Sequence, residues 1–329
     1  MLKLLVQYLL PGFILSALSG YWLIPKLREL KFGQHIREEG PQTHKKKSGT
    51  PTMGGFMFML AIILSRTGFF ALERTRPTRE EILILGLMLA YGLIGFIDDY
   101  RQIRLGRSLG LRAREKMALQ VLFAALFMYF FVDRSSGVIF PFSGNLLDLG
   151  ILYPVLGIVL IVGTGNGMNL ADGLDGLATG VAAASLGAYA FVADGYAKAV
   201  GRADLSNLTG LALVSVGALL GFLVHNYNPA KVFMGDTGAL ALGGLVAGFA
   251  IATRTELILP FIALVPLIEV ISVMLQVFSF QVFGKRIFKM TPIHHHFELI
   301  GWSEKRIVYV FWFVALAGAI LGIASMAYV

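Results

Sequence analysis

The residues of this chain that could do chemistry fall into five short clusters. Asp98 and Asp99 are adjacent, just ahead of Tyr100. Paired carboxylates act on phosphate groups by holding Mg2+ through hard oxygen ligands or by taking a proton. Consecutive helical residues point about 100° apart, so the two do not chelate one ion together. One is read as base or metal ligand and the other as the group that orients a neighbour. Acids at a helix C-terminus also oppose the macrodipole, which argues against an idle solvated pair.

A second cluster runs from Asn166 to Gly176, with Asn169, Asp172 and Asp175 at i, i+3 and i+6. On a helix these share one face; the glycines equally allow a broken helix lining a cavity. Either arrangement suits hydrogen bonding to a sugar or nucleobase and completing an oxygen shell for Mg2+. A third cluster, Asn226 to Gly238, sets Asp236 between glycines where a helix begins. There Asp236 is either an N-cap or a functional acid, and Phe233 either anchors the loop in apolar surface or stacks on a base. A fourth, Lys47 to Gly55, precedes a helix with glycines and a lysine that favour phosphate; the plainer reading is a turn with Thr52 as N-cap. His294, His295 and His296 are consecutive, which is not the i, i+4 spacing of a helical zinc site, and there is no cysteine. Imidazoles that contact phosphate or donate hydrogen bonds fit better.

The elements that must position these clusters are apolar helices. With 56% hydrophobic and 15% charged residues, the chain is far from a soluble composition, where roughly a quarter is charged. A hydrocarbon core of about 30 Å takes roughly 20 helical residues to cross. Ten such stretches are read between Leu4 and Val329, among them Ile82–Ile97, Met117–Val132, Ile151–Gly165 and Leu257–Phe283. The first, Leu4–Ile24, lacks a small-residue cleavage site and is read as a span rather than a leader. No linker or internal repeat divides residues 1–329, so the expectation is one all-α, polytopic membrane domain. Nineteen of the 28 Lys and Arg fall in or beside the odd-numbered loops. The positive-inside rule then makes those loops cytoplasmic and places both termini outside. The net charge of +8 is explained by this asymmetry and by anionic lipid headgroups; no nucleic-acid motif accompanies it. All five clusters fall on the cytoplasmic side.

At these clusters the sequence resembles the bacterial phospho-N-acetylmuramoyl-pentapeptide-transferase family. The matching stretches are Lys47–Gly55, Asp98–Tyr100, Asn166–Gly176, Asn226–Gly238 and Pro292–Glu298, followed by Gly301-Trp302, in order along most of the chain. The resemblance implies a magnesium enzyme that joins UDP-N-acetylmuramoyl-pentapeptide to undecaprenyl phosphate and releases UMP. It implies a homodimer in the cytoplasmic (inner) membrane, with its active site facing the cytoplasm. Asp98, Asp99 and Asp236 match the family's essential acids, and Asp236 with Asn169 matches the Mg2+ position. Lys47, Thr52, Lys116, Asn169, Asp172, Asp175, Asn226, Phe233, Gln276, His294, His295 and His296 match positions lining the substrate cleft. One departure is Gln102, where the family usually has Lys; Arg101 or Arg104 would have to supply that charge. Transferases that load N-acetylglucosamine phosphate onto polyprenyl phosphate look similar around the aspartates but not at the histidines. A secondary transporter is the rival from another class, and Glu269, inside the ninth span, is the residue it would use.

Overall fold

The computed structural model describes residues 5–30, 49–106, 110–131 and 136–326. Lys47 lies outside them. Helices dominate: α1 (Leu10–Glu29), α2 (Gly55–Glu73), α3 (Arg79–Leu105), α4 (Ala113–Tyr129), α5 (Tyr153–Ala171), α6 (Leu177–Ala199), α7 (Ser206–Asn226) and α8 (Gly235–Ala252). Then come the short α9 (Leu259–Ile262), α10 (Leu264–Phe283), the short α11 (Ile293–Leu299) and α12 (Glu304–Ala324). The chain is an all-α, multi-pass membrane protein.

Among the described residues, nine helices are long and apolar enough to cross a bilayer. The expected span not among these nine is the fourth, Met117–Val132, which corresponds to α4, shorter at 17 residues and carrying Arg114, Glu115 and Lys116 in its first turn. The expected long ninth span is split instead: α9 ends at Ile262 and α10 begins at Leu264, with Ala263 between them. Pro260 and Pro266 flank this break, and each removes a backbone donor that a continuous helix would need.

At the centre stands α8. Every residue of it except Asp236 is buried, because small side chains let its neighbours approach closely. It packs chiefly on α3, then on α5 and α2. A Cβ on Gly243 would lie 2.4 Å from the Cα of Gly165 on α5, and one on Gly55 of α2 would lie 2.3 Å from the Cα of Gly238. Such contacts fix the register of α8 against its partners. At the end opposite the polar clusters, Arg66 and Glu81 form a buried bidentate pair at 2.6 and 3.0 Å. A hairpin, β1 (Gly137–Ile139) with β2 (Leu146–Asp148), lies between α4 and α5, with Val138 opposite Leu147. Nothing in the loop sequence had announced it.

The candidate active site at the shared helix ends

Antiparallel neighbours bring the C-terminal ends of α3 and α5 to the same end of the bundle as the N-terminal ends of α4 and α8. Asp98 comes from α3, Lys116 from α4, Asn169 from α5 and Asp236 from α8. Helix α3 continues to Leu105, past the expected end near Ile97, so the acid pair lies within the helix. The Lys116 ammonium lies 2.5 Å from Asp236 Oδ2, 3.4 Å from Asn169 Oδ1 and 3.5 Å from Asp98 Oδ2. Asn169 donates from Nδ2 to Asp236 Oδ1 at 2.8 Å. Asp98 and Asp236 are themselves in side-chain contact.

The two adjacent acids diverge as helical geometry requires. Asp98 turns to the cluster and also accepts the Leu111 N–H and a 3.0 Å bond from Gln102 Nε2. Asp99 is buried against the first turn of α8. It accepts Asp236 N–H at 3.1 Å, Thr237 N–H at 3.0 Å and the Thr237 hydroxyl at 2.7 Å. Those amides are orphan donors of a helix N-terminus, so Asp99 does for α8 what a local N-cap would do. Asp236 is accordingly not the N-cap; that position is Met234.

The segment before α2 is laced to the one before α8. Phe233 N–H donates to Pro51 O at 2.8 Å, Gly54 N–H to Phe233 O at 2.8 Å and Gly55 N–H to Met234 O at 3.0 Å. The N-cap of α2 is Gly54 rather than Thr52. Thr52 Oγ is buried with no hydrogen-bond partner among the described residues and faces Gly235, where a Cβ would lie 2.5 Å from it and 2.5 Å from Asp99 Oδ2. Gly235 also has φ +70°, a conformation that favours glycine. Phe233 remains partly exposed at this edge.

The open question about the second cluster is resolved in favour of a helix that ends. Helix α5 runs through Ala171, so Asn169 is helical, and Asp172 is its C-cap residue. Burial and the charges of Asp236, Asp99 and Asp175 hold the Asp172 carboxyl well above the usual range, against a bond from the Gly235 backbone. Asp175 turns away from the cluster. It accepts Ala230 N–H at 3.0 Å and Asn228 Nδ2 at 3.1 Å, while its own N–H donates to Glu304 at 2.9 Å.

Two other expected site residues are engaged locally. Asn226 accepts from Thr179 at 2.7 Å and donates to Val232 O at 3.0 Å. Gln276 accepts the N–H groups of Ile287 and Phe288 and donates to Phe288 O, closing the turn after α10. The three histidines have three different partners: Glu269 for His294, Glu298 for His295 and the Lys289 N–H for His296. Sequence reading missed the amide pair Gln120–Asn166, where Asn166 donates at 2.8 Å. Its signal was present: Gln120 follows Lys116 by one turn on an otherwise apolar helix, and Asn166 precedes Asn169 by three.

Among the described residues, no three His, Asp or Glu side chains group as a metal site by themselves. Two carboxylates and an amide oxygen nevertheless converge on one cation, the Lys116 ammonium. Hard oxygens facing a single positive point suit Mg2+, which takes few protein ligands and keeps waters. The donor set therefore fits that ion, with Lys116 as its competitor for Asp236.

Residues 82–254 match the family described as Glycosyl transferase family 4. Fold, site and match define the class: a multi-pass membrane phosphosugar transferase. The chain is 48% identical to a Bacillus licheniformis protein over 314 residues, covering 95% of this chain and 94% of that one. It is 47% identical to one from Bacillus subtilis over 317 residues, with 96% and 95% covered. With one from a Thermoanaerobacter species the identity is 46% over 329 residues, and 99% and 100% are covered. All three relatives are named phospho-N-acetylmuramoyl-pentapeptide-transferase, and this chain belongs to that family.

Proposed function

We propose that the protein transfers phospho-N-acetylmuramoyl-pentapeptide from its UDP-linked donor to undecaprenyl phosphate, giving the first lipid-linked peptidoglycan precursor and UMP. The observation that carries this reading is the Lys116 ammonium held among Asp98, Asn169 and Asp236 at one end of the bundle, in a chain of this family. A phosphate oxygen of the lipid forms a bond to the sugar-linked phosphorus. The bond from that phosphorus to the bridging oxygen breaks, and the oxygen leaves with UMP. Such transfers depend on positioning and charge rather than on covalent help from the protein.

Lys116 offers its charge to the diphosphate once it leaves Asp236. Asp98 accepts the proton that remains on a fraction of the lipid phosphate, which is mostly dianionic at pH 7 with a second pKa near 6. Asn169 and Asp172 line the edge at which the donor's polar groups arrive. Asp236 and Asn169, with Asp98 beside them, would hold Mg2+, which when bound neutralises diphosphate charge. The basic loops favour a cytoplasmic membrane location with this end facing the cytoplasm, and the family resemblance supports a homodimer.

The rival readings have less behind them. The transporter reading leaned on Glu269, which is fully engaged by α11. The test is UMP release by purified protein supplied with undecaprenyl phosphate and each UDP-sugar. Turnover with UDP-N-acetylmuramoyl-pentapeptide supports the proposal; turnover with UDP-N-acetylglucosamine instead moves the protein to the neighbouring branch, and UMP from neither overturns the reading.

A further inference from the structure

At the end of the bundle opposite the site, the C-terminal ends of α4, α6 and α8 meet the β1–β2 hairpin around a cavity of about 530 Å³. Its walls are mainly apolar. Phe131 follows α4, Ile139 and Leu146 come from the two strands, and Ile251 lies in the last turn of α8. Among the described residues that line it, only Arg202 and Arg254 are charged, and both are cations. The transfer described above uses none of these residues.

The two arginines differ. Arg202 is held by Glu80 at 2.9 Å and Asp204 at 2.5 Å, so its charge is largely compensated. Arg254 lies in the turn after α8, where its carbonyl accepts the Ile139 N–H at 2.9 Å and ties the hairpin to the central helix. The acid beside it is Glu256, whose carboxyl is pushed by burial up to about 7; below that pH it brings little negative charge to Arg254. A guanidinium against apolar walls is costly without an anion, and its planar fork matches a phosphate bidentately.

The rim shows what kind of anion fits. Leu146 lines the cavity yet is 63% exposed, and Phe140, Phe142, Leu147 and Ile151 beside it are exposed as well. Such a patch at the end of a multi-pass bundle meets acyl chains and headgroups rather than water. A soluble anion leaves this apolar rim unused, whereas an amphiphile matches both the rim and the cation. We propose that the cavity binds one anionic glycerophospholipid of the adjoining leaflet, its phosphate on Arg254 and an acyl chain against Leu146. The lipid then adds to the Ile139 bond in holding the hairpin to α8.

The experiment uses the full-length protein, delipidated in detergent, and titrates it with phosphatidylglycerol or with phosphatidylcholine of the same chains. Bound lipid is read by native mass spectrometry, alongside the thermal midpoint. Wild type is expected to bind one phosphatidylglycerol about tenfold or more tightly than phosphatidylcholine, the worth of a charge-assisted hydrogen bond, and to gain thermal midpoint from it. Arg254→Gln should lose that lipid and that gain while keeping its UMP release. Arg74→Gln, at an exposed arginine of the same end outside the cavity, should lose neither. Ala199→Phe narrows the cavity from an exposed lining position and should lose the lipid with both arginines intact, so the proposal stays testable if Arg254→Gln fails to fold. Equal affinity of wild type for the two lipids overturns the proposal, as does wild-type binding in either folded variant. Full protection by glycerophosphate, which carries the phosphate without chains, would replace the lipid with a soluble anion and overturn it too.

Discussion

Asp99 accepts the backbone N–H of Asp236 at 3.1 Å, so one acid of the adjacent pair holds in place the acid that its neighbour Asp98 touches. Asp99 and Asp236 thus have separable duties. Asp99→Ala should leave two first-turn amides of α8 unsatisfied and cost about 1–3 kcal/mol, lowering the thermal midpoint together with UMP release. Asp236→Ala removes a partly exposed side chain and should leave the midpoint nearly unchanged while cutting turnover by about 100-fold or more. An Asp99→Ala protein of wild-type stability would show that the cap is not its role, and substantial activity in Asp236→Ala would refute the placement of Asp236 in the site.

Gly95 controls the distance across which that arrangement works. A Cβ there would lie 2.0 Å from the Asp236 carbonyl oxygen and 2.5 Å from Thr237 N, both backbone atoms. Backbone cannot swing aside as a side chain can, so Gly95→Ala must push α3 and α8 apart. A displacement of about 1 Å can cost on the order of 100-fold in rate. We expect that loss in kcat for Gly95→Ala, with Gly86→Ala, whose Cβ would meet nothing within 4 Å, as the control. Equal activity of the two variants would show that the helices have slack.

Much of this was legible in the residues. Apolar length disclosed the helices, and the order of polar clusters disclosed that Asp98, Asn169 and Asp236 meet at one end. What stayed hidden was partnership across the chain. Nothing local says that Asp99 caps a helix beginning at Gly235, or that Asp175 is spent on Asn228 and Ala230. The same holds for Glu269 and His294, 25 residues apart. A side chain's type is local, whereas its partner is set by packing, and a buried carboxylate that braces a loop looks in sequence like one that binds substrate.

Gln102, where lysine was expected, donates to Asp98 Oδ2 at 3.0 Å, while the positive charge at Asp98 comes from Lys116. Gln102→Ala should therefore lose one partly exposed hydrogen bond, worth about 1 kcal/mol, and slow turnover less than about tenfold. Lys116→Ala removes the cation shared by Asp98, Asn169 and Asp236 and should slow it by about 100-fold or more. If the site takes Mg2+ as proposed, EDTA should stop UMP release and added Mg2+ restore it, and Asp236→Asn should need more Mg2+ for half-maximal rate. Full activity in EDTA would remove the metal from the account.

At the opposite end of the bundle a pH dependence of stability is built in. Glu256, in the turn between α8 and α9, has one carboxylate oxygen bonded to the Tyr153 hydroxyl at 2.9 Å, and the other is buried with no hydrogen-bond partner among the described residues. Burial pushes its pKa up from 4.5 to about 7. The folded protein therefore holds this proton more tightly than the unfolded chain does. Its contribution is fully present below about pH 4.5 and is lost as pH rises through about 7. At about 1.4 kcal/mol per pH unit, the rise from 4.5 to about 7 caps the whole effect at about 3 to 4 kcal/mol. The thermal midpoint of wild type should fall between pH 5 and pH 8 relative to that of Glu256→Gln, which cannot ionise, and the two curves should converge at the acid end. Parallel curves across that interval would show that Glu256 is already ionised in the folded protein, with a counter-charge such as Arg254 holding it so.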